Sequence, residues 1–157
     1  EMRDLETISM ALAAAEKGTI VFGTLHTNNA AKTVDRIISV FPASEQEGIR
    51  NVLGETLRAV VAQQLMPKLG GGRVAAIEIL FSSPAIGNMI REGKTPQITS
   101  AIQTGSKEGM IDMDTSIRRL YDEKKISARA ALDKAIDKSA FKDLPEAEAP
   151  TGRGGPA

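Results

Sequence analysis

The sequence predicts an α/β fold, because helical and strand-like segments alternate in its first part and helical segments alone follow. Leu5, Ile8 and Leu12 recur at the spacing of one helix face. Residues 19–25 form a short, β-branched apolar run that begins after Gly18, as a buried strand does. We therefore expect part of an α/β sheet, followed by an α-helical appendage.

The first elements follow from periodicity and end signals. A helix over residues 4–16 ends at Gly18, and the strand over residues 19–25 follows. A second helix opens at Ala30 and is ended by Pro42. Residues 44–47, Ser-Glu-Gln-Glu, form a capping box that opens a longer helix, with an apolar face reaching to Val61. Residues 63–66 are expected to form a strand, which Pro67 stops.

The second half begins with a hairpin and continues with helices. Residues 68–73 are a glycine-rich hairpin loop, and residues 74–81 are the next strand. Ser83 and Pro84 provide the N-cap and first position of a helix over residues 84–92. Further helices are predicted over the ranges 96–104, 114–124 and 127–136, with a glycine-bearing loop at 105–109. From Ala140 onward the chain is rich in Ala, Pro, Gly and charge, which predicts a disordered tail.

Composition narrows the class of protein. With 157 residues, 41% of them apolar, the chain can build one core, and only 3% aromatic residues make that core aliphatic. Lys+Arg and Asp+Glu balance at 20 each, unlike the basic footprint of a nucleic-acid-binding protein. The chain has no cysteine, no signal peptide and no apolar run of about 18 residues, so a cytoplasmic protein without a membrane span is expected.

His26, the one histidine of the sequence, is the first candidate site residue. It follows the predicted strand, and ligands of open α/β sheets bind beyond the carboxyl ends of strands. An imidazole there can sense a phosphate, act as a base or bond a backbone carbonyl, and position alone leaves these alternatives open. A metal site is disfavoured, because the sequence has no second histidine and no cysteine to complete it.

Three other segments can carry chemistry or be structural only. Glu1 and Asp4 can hold a metal ion or position a water, or can simply begin a helix. The glycines of residues 70–72 with Arg73 can approach a phosphate, but they lack phosphate-loop spacing and fit a flexible hairpin better. The helix over residues 85–92 has an apolar face and a charged end, as ordinary surface helices have.

Six segments taken in order resemble one family. They are residues 1–7 (EMRDLET, similar to the end of a Walker B segment), 23–27 (GTLHT, similar to a histidine box), 31–37 (AKTVDRI), 40–42 (VFP), 70–76 (GGGRVAA) and 85–92 (AIGNMIRE). This order resembles the type IV pilus retraction ATPases, the twitching-motility, PilT-like branch of the secretion ATPase superfamily. The resemblance covers residues 1 to about 138.

The resemblance implies a fold, an activity and partners. It implies a partial RecA-like ATPase core over residues 1–81, a C-terminal helical region over 82–138 and a disordered tail over 139–157. Members are homo-hexamers that hydrolyse ATP with Mg²⁺ and drive pilus retraction. They act at the cytoplasmic face of the inner membrane, peripheral to it, against a pilus platform protein in that membrane, and nucleic acid is not a partner.

The resemblance also assigns roles to residues. Glu1 matches the glutamate that polarises the attacking water, and His26 matches the histidine that reads the γ-phosphate. Nucleotide-binding roles fall on Arg3, Thr24 and Thr27, and no residue is assigned as a metal ligand. The helix associated with retraction contributes Ala85, Ile86, Asn88, Ile90, Arg91 and Glu92.

Departures from the family pattern leave alternatives. The family's phosphate-binding loop and acidic segment precede Walker B and are not among these residues, so we expect a fragment that alone is inactive and does not bind ATP tightly. Gly87 and Met89 replace the usual arginine and leucine, which leaves a close paralogue open. A non-catalytic subunit of the pilus motor, or another assembly or export ATPase, are the rivals; the assembly type commonly carries a four-cysteine zinc module, which this sequence lacks.

Overall fold

The computed structural model describes residues 1–145, which form a mixed α/β fold, and the predicted α/β class is thus confirmed. Seven helices and two strands occur among these residues. In chain order they are α1 Leu5–Glu16, α2 Ala30–Ser39, α3 Gln46–Thr56, β1 Ala59–Pro67, β2 Arg73–Phe81, α4 Pro84–Arg91, α5 Ile98–Thr104, α6 Met113–Asp122 and α7 Ala128–Lys134. Short 3₁₀ turns cover Thr95–Gln97, Gly105–Glu108 and Lys138–Phe141.

The chain forms two compact units. The first contains residues 1–62 and 79–111, and the second contains, of the described residues, 63–78 and 112–145. Strands β1 and β2 therefore contribute residues to both units. The domain boundary expected at residue 81 stays a prediction. None of the helices within residues 1–145 has the length and apolar character needed to cross a bilayer.

The first unit has an aliphatic core, as the composition predicts. Helix α1 buries Ile8 and Leu12, and α2 buries Val34, Ile37 and Ile38 beside them. The remaining buried core residues of this unit are Ala30, Phe41, Leu53, Val60, Leu80, Ile86, Ile90, Ile98, Ile102 and Met110. Helices α1 and α2 each pack one apolar face against this core, as the predicted periodicity requires.

The predicted strand over residues 19–25 is wrong. The segment has no strand assignment, and the side chains of Ile20 and Phe22 are 78% and 95% exposed instead of buried. A strand needs a neighbour to supply ladder hydrogen bonds, and the one sheet within residues 1–145 consists of β1 and β2. An apolar run of this kind forms a strand only when a neighbouring strand is present to pair with it.

The predicted long helix from residues 44–47 is also partly wrong. Helix α3 begins at Gln46, and its N-cap Glu45 makes no side-chain capping hydrogen bond, so the capping box does not form. The helix ends at Thr56, and Val60 and Val61 belong to β1. In β1 the exposed and buried positions alternate at first, which is the period of two that strands have. The predicted helix extended to Val61 because this change from helical to strand periodicity was not recognised.

Strands β1 and β2 form an antiparallel hairpin, as the glycine-rich loop predicts. The amide of Lys68 donates to the carbonyl of Gly72 at 3.0 Å and closes the loop. Gly70, Gly71 and Gly72 all have positive φ, a conformation that L side chains rarely adopt. The glycine run is therefore explained by the turn.

The second unit joins the distal hairpin to α6 and α7. Ile117 and Ile126 are fully buried there, and Ala131 of α7 is buried with them. The 3₁₀ turn Lys138–Phe141 follows, and Phe141 is only 3% exposed. The predicted tail begins at residue 139, so its first residues include this buried phenylalanine; residues 146–157 of that tail lie outside the described residues.

Candidate functional site

The candidate site is built where residues 1–3 run beside residues 23–26. The amide of Met2 donates to the carbonyl of Thr24 at 2.9 Å, which fixes the two segments side by side. The side chain of Met2 lies over Gly23, and a Cβ atom at position 23 would be 2.6 Å from Met2 Cε. Gly23 therefore allows the close approach that brings the first residue of the chain to His26.

Glu1 and His26 are in direct contact. His26 Nε2 lies 2.8 Å from Glu1 Oε1, and because a carboxylate only accepts, the imidazole donates through Nε2. Arg3 Nε lies 3.6 Å from the same oxygen, too far for a hydrogen bond but within reach of an ion pair. The His26 and Glu1 side chains are 88% and 43% exposed, so this carboxylate–imidazole–guanidinium group is open to a ligand from solvent.

The loop after His26 is tied to the start of α2. Thr27 Oγ1 lies 2.7 Å from Thr33 Oγ1, and Thr33 Oγ1 donates to the carbonyl of Asn29 at 2.8 Å. Since Thr33 uses its proton on Asn29, Thr27 donates to Thr33. Asn29 caps α2 by accepting from the amide of Lys32 at 2.8 Å. Thr27, a predicted nucleotide-binding residue, thus has its hydroxyl engaged within the protein.

The structure brings some predicted site residues together and separates others from them. Glu1, Arg3, Thr24 and His26 lie at one place, and Thr27 follows in the anchored loop. Asp4 instead caps α1 by accepting from the amide of Thr7 at 2.9 Å, and this bond lowers the pKa of its carboxyl. Within residues 1–145, no three His, Asp or Glu side chains cluster closely enough to hold a metal ion.

Helix α4, the predicted retraction helix, divides its residues between core and surface. Ile86 and Ile90 are buried in the core of the first unit, whereas Ala85, Asn88 and Glu92 are exposed. Arg91 is half-buried and donates to Asn88. Ser83 caps the helix by accepting from the amide of Ile86 at 3.3 Å, as predicted. A hydrogen bond from Lys94, 2.6 Å away, holds the pKa of Glu92 below its usual value.

Gly87 has a structural role that sequence reasoning missed. A Cβ atom at Gly87 would be 2.6 Å from the carbonyl oxygen of Gly54 in α3, and a Cβ at Gly54 would be 2.8 Å from the carbonyl oxygen of Gly87. The backbones of α3 and α4 therefore touch at two glycines. The signal that could have indicated this contact is a glycine inside each of the two helices. Glycine lowers the stability of a helix by about 1 kcal/mol relative to alanine, so its presence there suggests a packing reason.

An apolar cavity of about 480 Å³ is a second feature missed from the sequence. It lies within the first unit, between α1, the segment 18–23 and residues 53–59. Ile8, Leu12 and Leu53 line it, and the exposed Ile20 and Phe22 lie at it. The signal that could have found it is the three consecutive apolar residues 20–22, because such a run is typical of a segment covered on both faces.

Comparison with known proteins finds relatives in the family that the ordered motifs resemble. A family model described as "Type II/IV secretion system protein" matches residues 1–74. The type IV pilus retractation ATPase PilT of Pseudomonas aeruginosa is 54% identical over 135 residues, which cover 86% of this chain and 39% of that protein. The twitching motility protein of Neisseria gonorrhoeae is 54% identical over 136 residues, covering 86% of this chain and 36% of that protein.

A solved structure has the same fold over most of the chain. The crystal structure of the pilus retraction motor PilT with bound ADP superposes with a TM-score of 0.80 and 42% sequence identity, covering 92% of this chain and 40% of that one. The chain spans about two fifths of the length of the curated relatives that it matches.

Proposed function

Because the chain belongs to the secretion ATPase superfamily, we propose that its protein is an ATP-hydrolysing motor that drives retraction of type IV pili. The contact between Glu1 and His26 is the observation that supports a nucleotide site here. Their side chains come from distant parts of the sequence and meet at 2.8 Å with both groups open to solvent. A carboxylate and an imidazole are both groups that can accept a proton from an attacking water.

In the proposed reaction, Glu1 accepts a hydrogen bond from the water that attacks the γ-phosphate of ATP. Phosphoryl transfer needs a positioned nucleophile and stabilised charge more than it needs covalent chemistry. Arg3, whose side chain is 76% exposed beside Glu1, supplies a positive charge for phosphate oxygens. We assign nucleotide-binding roles also to Thr24 and Thr27, which precede and follow His26 in the chain. Mg²⁺ bound with the ATP supplies further charge neutralisation.

The remaining parts of the proposal concern assembly and place. The protein works as a homo-hexamer at the cytoplasmic face of the inner membrane, peripheral to it, and acts on the platform protein of the pilus. The balanced charge of the chain fits a partner other than nucleic acid. The rival is a non-catalytic paralogue of the same motor, which would keep this fold and lack hydrolysis.

Hydrolysis by the full-length gene product tests the proposal. With ATP and Mg²⁺, Glu1→Gln keeps the shape of the side chain and removes its basicity, and we expect it to lower kcat about a hundredfold or more. Glu6→Gln is the matched control, because Glu6 is an exposed glutamate in the first turn of α1. Absence of Mg²⁺-dependent hydrolysis would support the rival, and full activity of Glu1→Gln would refute the site.

For α4 we propose that the exposed residues Ala85, Asn88 and Glu92 are the surface that couples hydrolysis to retraction. Ile86 and Ile90 support that surface from the core, since both are buried. Glu92→Ala and Asn88→Ala should abolish twitching while ATP hydrolysis continues. Gln103→Ala, an exposed position of the neighbouring helix α5, should leave both unchanged. Normal motility in both α4 variants would exclude this surface.

A further inference from the structure

We propose that Arg50 of α3 and Arg91 of α4 form a pair of guanidinium groups that binds carboxylate side chains of an acidic protein partner. The inference rests on the proposed coupling role of α4, and it adds to that role a residue of α3 and the chemistry of the partner. Among the lysines and arginines of residues 1–145, only these two are partly buried, and all the others are exposed.

Each arginine reaches from its own helix to the other one. The side chain of Arg91 lies over α3, because a Cβ atom at Gly54 would be 3.2 Å from Arg91 Cγ and 3.4 Å from Arg91 Nη1. Arg50 lies at the end of α4, because a Cβ atom at Gly93 would be 3.7 Å from Arg50 Nε. Arg50 and Gly54 are one turn apart in α3, and residues at that spacing share a helix face. The two guanidinium groups therefore lie on the same side of the crossing between α3 and α4.

Within residues 1–145, the side chains that accept hydrogen bonds from these guanidinium groups are amides and not carboxylates. Arg50 Nη2 donates to Gln46 Oε1 at 3.4 Å, and Arg91 donates to Asn88 Oδ1. The carboxylate of Glu92, the residue after Arg91, is bound by Lys94 at 2.6 Å. A guanidinium group stays charged and has five N–H donors, so each arginine keeps donors for a further acceptor.

The two arginine side chains are also partly ordered before any partner binds. Their aliphatic stems pack against the neighbouring helix at glycines, where no side chain keeps them away. Binding to side chains that are already held costs less conformational entropy than binding to free ones. The planar fork of donors matches the two oxygens of a carboxylate, and arginine is enriched among the residues that contribute most to protein–protein binding.

The charges around the pair favour single carboxylates of a protein over an extended polyanion. Glu47 precedes Arg50 by three residues in α3, Glu92 follows Arg91, and both glutamates are exposed. A nucleic acid or an anionic membrane presents many negative charges at once, and these two glutamates repel them. A protein can place one or two carboxylates against the guanidinium groups and keep its other acidic groups away. The partner of this surface is therefore expected to be an acidic protein segment.

The test is binding of a fluorescent decaglutamate peptide to the full-length protein, measured by fluorescence anisotropy at low salt. Arg50→Gln and Arg91→Gln should each weaken binding about ten- to a hundredfold, which is the effect of losing a hydrogen bond to a charged group. Arg50→Lys keeps the charge and loses the fork of donors, so its affinity should lie between wild type and Arg50→Gln. Arg58→Gln, at an exposed arginine two residues beyond α3, is the matched control and should change affinity less than about twofold.

Other results would overturn the inference. Absence of peptide binding, or an equal loss in Arg58→Gln, would mean that the two arginines form no specific site. If phosphatidylglycerol vesicles displace the peptide from wild type and bind Arg50→Gln much more weakly, the surface binds a membrane and not a protein. Thermal unfolding controls for folding, and Arg50→Gln decides the question if Arg91→Gln lowers the unfolding temperature.

Hydrolysis of ATP by the same preparations separates this inference from the proposed function. Hydrolysis without peptide binding at the arginines would refute the surface and leave the motor. Peptide binding at the arginines without hydrolysis would refute the motor and leave an acidic-partner surface on a non-catalytic protein.

Discussion

Single polar side chains begin most of the helices in this fold. Asp4, Asn29, Ser83, Asp112 and Ser127 each accept a hydrogen bond from the backbone amide three residues ahead. These amides have no partner inside their own helices, so each cap replaces a bond that water would otherwise make. The start of a helix in this protein is therefore decided by one side chain, and changes at such positions have local and measurable effects.

The cap at Asp4 should make α1 sensitive to acid. The amide of Thr7 lowers the pKa of Asp4 in the folded protein, so the stabilisation is present above the unfolded value of about 3.9 and is lost as the pH falls through the lower folded value. Asp4→Asn keeps an acceptor without a titrating group. We expect the difference in unfolding free energy between wild type and Asp4→Ala to shrink as the pH falls below about 4.

Urea unfolding at several pH values measures this difference. The difference between Asp4→Asn and Asp4→Ala should stay constant over the same range, because neither residue titrates there. A wild-type advantage that persists unchanged at pH values below the lowered pKa would contradict the cap as the source of the acid sensitivity.

Glu78, which is 1% exposed in β2, joins that strand to the start of α6. Its Oε2 accepts from the amide of Met113 at 3.0 Å, and next to it the amide of Ile77 donates to Ser116 Oγ at 2.9 Å. Glu78→Ala leaves the Met113 amide without this acceptor and opens a cavity, so we expect a loss of about 2–4 kcal/mol of unfolding free energy. Glu78→Gln keeps an oxygen acceptor and should lose less in the same denaturation assay; equal losses would show that the hydrogen bond contributes little.

At the scale of elements, the sequence predicted most helices correctly but not which apolar segments form strands. Helices α1, α2 and α4 follow from their own caps and apolar spacing, which are local signals. The start of α3 has no side-chain cap, and Val60 and Val61 lie in a strand that depends on its pairing with β2. The segment 19–25 has strand composition without a partner among the described residues. Pairing is a long-range property, which a local pattern does not contain.

The candidate site was predictable in part for the same reason. His26 is predicted as a site residue from its type and place, and Glu1 is predicted from the resemblance. Their 2.8 Å contact depends on the close approach at Gly23, which no local pattern contains. The contact between Gly54 and Gly87 likewise joins two helices that are distant in sequence. The sequence therefore nominated candidate site residues, which stay predictions, and the packing determined which residues they touch.

The crossing of α3 and α4 should depend on both glycines. Gly87→Ala improves helix propensity by about 1 kcal/mol, but its Cβ would lie 2.6 Å from the carbonyl oxygen of Gly54, a backbone atom that moves only with its helix. We expect a net loss of about 1–3 kcal/mol in unfolding free energy, because the two helices must separate. Thermal and urea denaturation of the purified protein measure it.

Gly48→Ala is the matched control, since Gly48 also lies inside α3 and a Cβ atom there would meet nothing within 4 Å. This substitution should stabilise the protein by up to about 1 kcal/mol. If Gly87→Ala lowers the free energy of unfolding and Gly48→Ala raises it, the close crossing of α3 and α4 is established. A stabilising Gly87→Ala would contradict it.

At the scale of the whole molecule, the 157-residue chain should associate through its first unit. Ile20 and Phe22 are exposed at an apolar cavity of about 480 Å³, and contiguous apolar surface of this kind binds other apolar surface. We expect binding of the dye ANS and a sedimentation coefficient that rises with protein concentration. Phe22→Ser should reduce both, whereas Met10→Ser should change neither, because Met10 is 60% exposed on α1 but does not line the cavity. A monomeric chain without ANS binding would mean that residues 19–23 are covered in solution, and equal effects of the two substitutions would mean that association does not depend on the cavity.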